Sequence, residues 1–265
     1  LDQINLATQA AERVGRPARL HLKVDTGMSR VGVQPEDALL IARTIAHHSS
    51  VRFEGIFTHF AKADEPDQPV NAVQEDRFRE VLQALAAEGI QPQIIHAANS
   101  ATALYRPGAY FDMVRAGISL YGLNPSGQEA LPAPFRAALT WKAVLSQVKV
   151  LPPGRGISYG HEYTTRSYER IGTVPVGYAD GLRRTTGNQV LVGGKRVPLV
   201  GRVCMDQVMI QLDTVPEAVE GDEVVLIGKQ GDEVITAEEI AQRWGTINYE
   251  VVCGIGGRVP RIYDS

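Results

Sequence analysis

The chain has 265 residues, 44% of them apolar and 22% charged, with a formal net charge of −3. Such a composition argues against disorder, and the slight acidic balance leaves no basic face for nucleic acid. No apolar run approaches the ~20 residues of a membrane span, and two cysteines, Cys204 and Cys253, are too few for a disulfide framework and fit a reducing cytoplasm.

The length suits two domains, or one barrel with an appendage. Residues 1–14 carry apolar side chains at helical spacing, and Gly15 and Pro17 stop the run. Residues 19–25 read as a strand, 35–47 as a helix opened by Pro35, and 51–58 as a second strand. A polar loop around Asp64 leads into a long helix over about 70–88, closed by Gly89. Residues 93–98 and 113–120 complete four strands alternating with helices, the pattern of parallel βαβ units. After Pro132 and Pro134 the pattern changes. Short Val/Ile-rich segments separated by glycine (140–150, 171–177, 189–192, 197–203, 208–212, 223–227) predict an antiparallel β domain over 133–265. Thr236 and Glu239 form a capping box for one helix within it.

The two apolar runs ending at Asn99–Ser100 and at Gly117–Ile118 deliver hydroxyl, amide and glycine groups to strand ends, where parallel α/β folds place their chemistry. Backbone amides of Ser100, Gly117 and Ile118, with the Ser100 hydroxyl, suit a phosphate, although an Asn-Ser pair reads equally well as a helix cap. Arg115 lies inside an apolar run and needs a partner, because an unpaired buried charge is costly; His59, at another strand end, is one candidate, though a strand-end histidine is ordinarily core packing. Lys23 and Asp25 share a strand face, with Arg30 beyond the turn, which reads equally as a salt-bridged loop. In the β part, Tyr159, Tyr178 and Tyr249 sit beside glycines or polar turns, and 201–207 packs polar and sulfur-bearing side chains into one strand. Neither cysteine has metal-ligand spacing.

Eight motifs together resemble the alanine racemase family: HLKVDTGMSRVGV (21–33), FEGIFTHFAKADE (53–65), HAANSATAL (96–104), VRAGISLYGLNPS (114–126), GISYGHEYT (156–164), VGYADGLRR (176–184), VGRVCMDQ (200–207) and TINYEV (246–251). The resemblance implies a (β/α)8 barrel that binds pyridoxal 5′-phosphate, a C-terminal β domain, and a cytoplasmic homodimer that interconverts L- and D-alanine to supply peptidoglycan. It assigns Tyr159 as a proton-transfer base, Arg115 as the partner of the pyridine nitrogen, and His59 as the group orienting that arginine. Arg30 falls near the cofactor phenolate and substrate carboxylate, with Lys23 carbamylated to hold it. Ser100, Gly117, Ile118 and Tyr249, beside Asn99, match the phosphate cradle; Met205 matches a backbone contact to substrate carboxylate, given with Tyr159 across the dimer. Asp64, Tyr178 and Arg202 match the corridor into the site.

The family's Schiff-base lysine stands in a V-x-K-A-N-A-Y-G-H-G-type motif that is not in this sequence. The expectation is therefore the C-terminal half of the barrel, four parallel strands over 1–132, in a truncated chain that is inactive alone. An inactive dimerisation or scaffold module, a broad-specificity or serine racemase, and a nonenzymatic pyridoxal-phosphate carrier are the competing readings.

Overall fold

The computed structural model of the chain describes residues 2–127 and 131–263. It divides into two compact units, Leu1–Leu120 and Tyr121–Ser265. In the first unit the order is α1 (Asp2–Val14), β1 (Ala18–Lys23), α2 (Pro35–Ala46), β2 (Val51–Phe57), α3 (Pro69–Ala87), β3 (Ile94–His96) and α4 (Ser100–Tyr105). The strands form one parallel sheet in the order β1-β2-β3. Each helix turns one stripe inward: Ile4, Thr8 and Ala11 on α1, then Ala38, Ala42 and Ile45 on α2. On α3 the stripe is Asn71, Gln74, Phe78, Val81 and Leu85, so two polar side chains share the register of its apolar anchors.

Three parallel strands are present among the described residues, where four were expected. Residues 113–117 form no strand, and 118–121 wind into a short 3-10 helix. The segment does run beside β3, with the Asp112 amide donating to Ile95 O (2.9 Å) and the Arg115 amide to Ala98 O (2.9 Å). Those bonds are three residues apart on both sides, which breaks the alternate-residue ladder of a regular strand pair. The Gly117 amide then turns onto Ser100 Oγ (2.8 Å), and the chain bends.

The second unit contains β4 (Trp141–Val144), β5 (Gln147–Leu151), β6 (Gly156–Ile157), β7 (Tyr163–Thr164), β8 (Glu169–Val174), β9 (Gln189–Val192), β10 (Lys195–Val200), β11 (Val208–Gln211), β12 (Glu223–Gln230), β13 (Glu233–Ile235), α5 (Ala237–Trp244) and α6 (Asn248–Cys253). Eight strands make one antiparallel sheet with β13-β12-β9-β10-β11-β8-β5 as its main path and β4 on β12. The single expected strand over 140–150 is two strands, because the chain changes partner: Leu145 donates to Asp222 O and Ser146 to Thr173 O. Thr236 caps α5 by accepting the Glu239 amide at 3.1 Å, as the capping box predicted, while the Glu239 carboxylate pairs instead with Arg196 and Arg243. The hairpin of β6 and β7 projects residues 158–162 at its tip. No helix among the described residues is long and apolar enough to cross a membrane.

Phe78 is fully buried, with its ring edge-on to Phe111 at 5.6 Å. Phe78→Ala is expected to cost the first unit about 3–5 kcal/mol, read as a lowered urea midpoint at unchanged slope. A midpoint equal to that of the unsubstituted protein would contradict this packing.

Candidate functional site

The centre of the first unit's strand ends is Arg115. Its Nη2 donates to Thr58 O (2.9 Å), Ala97 O (3.1 Å) and His59 Nδ1 (3.2 Å), and its Nη1 to His96 Nδ1 (2.8 Å). The guanidinium also lies over the Phe57 ring, 5.3 Å from its centroid. Every one of these acceptors is neutral. Nη1 keeps a second hydrogen, and neither that hydrogen nor the Nε–H has an acceptor among the described residues. Burial pushes Arg115 below its ordinary value, yet a guanidinium keeps its proton at neutral pH. A half-buried positive charge with unused donors and no carboxylate beside it is a site for an anion or a lone-pair nitrogen.

The arginine dictates the histidine tautomers behind it. Since Arg115 Nη1 only donates, His96 Nδ1 accepts, and His96 Nε2–H donates to His21 Nδ1 at 2.9 Å. His21 Nε2–H then faces Glu54 Oε2 at 3.4 Å. The His21 ring crosses to His96 over Gly55, where a Cβ would come within 2.5 Å of it. His96 stacks on Phe57, ring centroids 4.7 Å apart. Burial first, then the charge of Arg115, drives both His59 and His96 down to about 4.

The turn after β1 is built on Asp25, whose Oδ1 accepts the amides of Gly27 (3.0 Å), Met28 (2.9 Å) and Ser29 (2.9 Å). Burial raises the Asp25 carboxyl, but the three amides and Lys23 outweigh it and hold it below the ordinary value. The salt-bridged loop is thus not what forms: Lys23 Nζ donates to Val31 O (2.9 Å) and lies 5.8 Å from the Phe57 ring centroid. Burial, followed by the fields of Arg30 and Arg115, lowers Lys23 against the opposing pull of Asp25. Arg30 is exposed at the end of this turn, and Asp64 is exposed in the loop after β2.

Of the two roles read for Asn99 and Ser100, the helix cap is formed, by Asn99. Asn99 Oδ1 caps α4, accepting the Thr102 amide (2.9 Å) and hydroxyl (3.1 Å). Ser100 Oγ accepts the amides of Gly117 (2.8 Å) and Ser119 (3.4 Å), which fills its lone pairs and leaves its hydroxyl hydrogen to donate. A hydroxyl donor held by glycine-bearing backbone, together with the Arg115 charge, fits a phosphorylated ring that carries an acceptor nitrogen.

Tyr159, Tyr178, Arg202 and Met205 are brought together within the second unit. Ser158 Oγ donates to Arg202 O (2.7 Å), the Tyr178 amide to Cys204 O (3.0 Å) and the Ala179 amide to Met205 O (2.9 Å). Arg202 pairs with Glu162. Ser158 takes φ +62° and His161 φ +47°, left-handed values that cost a non-glycine residue energy. Close packing holds them there: a Cβ on Gly201 would meet Ile157 O at 2.6 Å, and one on Gly177 would meet Met205 O at 2.3 Å. Tyr159 is 69% exposed and Met205 57%. Tyr249 is half-buried on α6. The cysteines are unpaired, and no metal-binding group of acidic, histidine and cysteine side chains occurs among the described residues.

Sequence reasoning paired Arg115 with His59 but passed over His96, its shorter partner, and His21 and Glu54 behind it. Alternation did hold a signal, since His21 shares a β1 face with Lys23 and a polar side chain on an inward face asks for a polar neighbour.

These features define a two-part chain, a parallel α/β unit with an anion-accepting cluster at its strand ends and an antiparallel β unit with a tyrosine-bearing loop cluster. The chain belongs to the alanine racemase family: residues 1–125 match "Alanine racemase, N-terminal domain" and residues 138–263 "Alanine racemase, C-terminal domain". The alanine racemase of Symbiobacterium thermophilum is 52% identical over 254 residues, 95% of this chain and 67% of that protein. Alanine racemase 1 of Bacillus subtilis is 45% identical over 247 residues, 92% of this chain and 62% of that protein. The crystal structure of alanine racemase from Streptomyces lavendulae superposes with a TM-score of 0.93 at 42% identity, covering 99% of this chain and 70% of that one. The chain thus spans about two thirds of the length of the relatives it matches. Nearly all of it aligns with them.

The two depressed histidines set a pH dependence. An unfolded imidazole binds its proton near 6.5, whereas folded His59 and His96 bind theirs only at about 4. Between those values the unfolded state holds more protons, so stability falls as pH drops from 6.5 to 4 and is level above 7. Proton NMR titration is expected to show neither ring titrating between pH 8 and 5.5 in the folded protein. A midpoint near 6.5 for either would contradict the described burial.

Proposed function

We propose that this chain is part of the machinery that interconverts L-alanine and D-alanine with pyridoxal 5′-phosphate, in a cytoplasmic homodimer that supplies D-alanine for peptidoglycan. The observation that carries the reading is Arg115, a guanidinium held by four neutral acceptors with donors left over. When bound, pyridoxal phosphate supplies an electron sink for the charge left when an amino acid loses its α-proton. The chain's own residues do the rest. The Ser100 hydroxyl and the Ile118 amide hold the phosphate, with Gly117 and Asn99 shaping the turn around them. Arg115 donates to the ring nitrogen without giving up its proton, which keeps that nitrogen unprotonated and moderates the sink. His59 and His96 aim the guanidinium. Arg30 binds the phenolate and the substrate carboxylate.

Lys23 supports Arg30 as a carbamate: its neutral amine adds carbon dioxide and releases a proton, so the side chain changes from positive to negative. Carbamate formation needs a neutral amine, and burial at Lys23 favours one. Tyr159 takes or returns the α-proton on one face, and the Met205 backbone meets the substrate carboxylate; both come from the β unit of a second copy. Exposure of both residues on one loop cluster agrees with that role. Asp64, Tyr178 and Arg202 line the approach.

The reading is tested by titrating the protein with pyridoxal phosphate. Saturable binding is expected, weakened about tenfold or more by Arg115→Ala and by Ser100→Ala, the loss of one or two charge-assisted bonds. In the racemising protein, Tyr159→Phe is expected to lower D-alanine formation by roughly 10²–10⁴-fold. Binding indifferent to Arg115, or racemisation indifferent to Tyr159, would overturn the assignment.

A further inference from the structure

Gln74 is the one polar side chain of α3 that reaches the loops after both β1 and β2 among the described contacts. It is fully buried. Its Nε2 donates to His59 O (3.1 Å) and to Thr26 Oγ1 (3.3 Å), and its Oε1 accepts the Ala61 amide (2.9 Å). One carboxamide thereby closes three bonds across two loops, a pattern that needs a donor and an acceptor on the same planar group. Neither a carboxylate nor an apolar chain of the same length supplies both.

What these bonds fix is the setting of Arg115. His59 offers the ring nitrogen that takes Arg115 Nη2, and the adjacent Thr58 offers the carbonyl that takes the same nitrogen. Gln74 holds the peptide on the far side of that pair, at His59 O and Ala61 N. On the other loop, Thr26 Oγ1 is bonded to Thr58 Oγ1 at 2.7 Å, so Gln74 and the two threonines make one continuous network. Gly27, in the turn that Asp25 organises, packs on Gln74; a Cβ there would lie 3.2 Å from Gln74 Cγ. Arg77, one turn along the helix, donates to Thr26 O (3.1 Å) and anchors the same turn, which leads to Arg30.

The geometry points to Gln74 as a positioning residue that sets the aim of Arg115 through Thr58 and His59 and ties it to the Arg30 turn through Thr26. It touches none of the groups proposed to meet cofactor or substrate, and acts on Arg115 through Thr58 and His59. The inference deepens the proposed function and rests on it for its consequence, though the positioning itself exists without any ligand.

The test uses the full chain in three forms: unsubstituted, Gln74→Met and Gln74→Glu. Two readouts are taken, solvent exchange of the Arg115 Nη hydrogens by NMR without ligand, and affinity for pyridoxal phosphate. Gln74→Met is expected to speed Arg115 exchange about tenfold and weaken the cofactor by a similar factor, the scale of one or two lost buried bonds. Gln74→Glu is expected to recover both as pH falls, because a protonated carboxyl can again donate to His59 O while accepting from Ala61. A merely structural glutamine would show no such pH-dependent rescue. Should Gln74→Met fail to fold, Thr26→Val interrupts the same network and is expected to speed Arg115 exchange. Unchanged Arg115 exchange in the folded variants would overturn the inference. If the unsubstituted chain binds no pyridoxal phosphate while Gln74→Met still speeds Arg115 exchange, the proposed function fails and the positioning role stands.

Discussion

A guanidinium surrounded by neutral acceptors is the constraint from which the rest of the first unit can be derived. Burying a cation without a carboxylate is costly, and each neutral acceptor it finds offsets part of that cost. Arg115 finds two backbone carbonyls and two imidazoles, and each imposes a demand of its own. The carbonyls of Thr58 and Ala97 must stay out of the sheet ladder, which they do by lying just past the ends of β2 and β3. The imidazoles must be neutral, and burial beside a permanent cation keeps them so. His96 must then pass its own hydrogen on, which draws His21 across the gap that Gly55 leaves.

A similar economy of backbone governs the second unit. Tyr159 stands exposed in a turn where Ser158 and His161 take left-handed conformations, packed against Gly201 and Gly156, which leave no room for a Cβ. Strain of that kind persists where packing over-determines it, and it clusters where a side chain must be presented rather than packed. The same loops carry Tyr178, Arg202 and Met205, joined by backbone bonds at Cys204 and Met205.

Much of this was legible in the residues. Helical periodicity located α1, α2 and α3 to within a residue or two, since their stripes are regular and proline opens two of them. Short Val/Ile segments between glycines located most of the β unit. Residues 113–120 were not legible: their composition is that of a buried strand, but Ser100 Oγ captures the Gly117 amide and bends the chain. That capture depends on a side chain seventeen positions away, and no local pattern encodes it. Strand-end placement brought Arg115, His59 and Ser100 to notice, and the motif resemblance gave them roles. Both passed over His96, His21 and Gln74, whose importance lies in what they touch. Gln74 was concealed further by sitting in register with Phe78, Val81 and Leu85, where a core residue is the natural expectation.

The central claim is that Arg115 stays charged and presents its spare hydrogens to an unprotonated ring nitrogen. The most direct measurement is the ¹⁵N chemical shift of pyridoxal phosphate labelled at the ring nitrogen and bound to the protein, followed from pH 6 to 9. A shift in the range of an unprotonated, hydrogen-bonded pyridine, constant across that range and altered by Arg115→Ala, is the predicted result. A pyridinium shift, or one that ignores the arginine, would contradict the account.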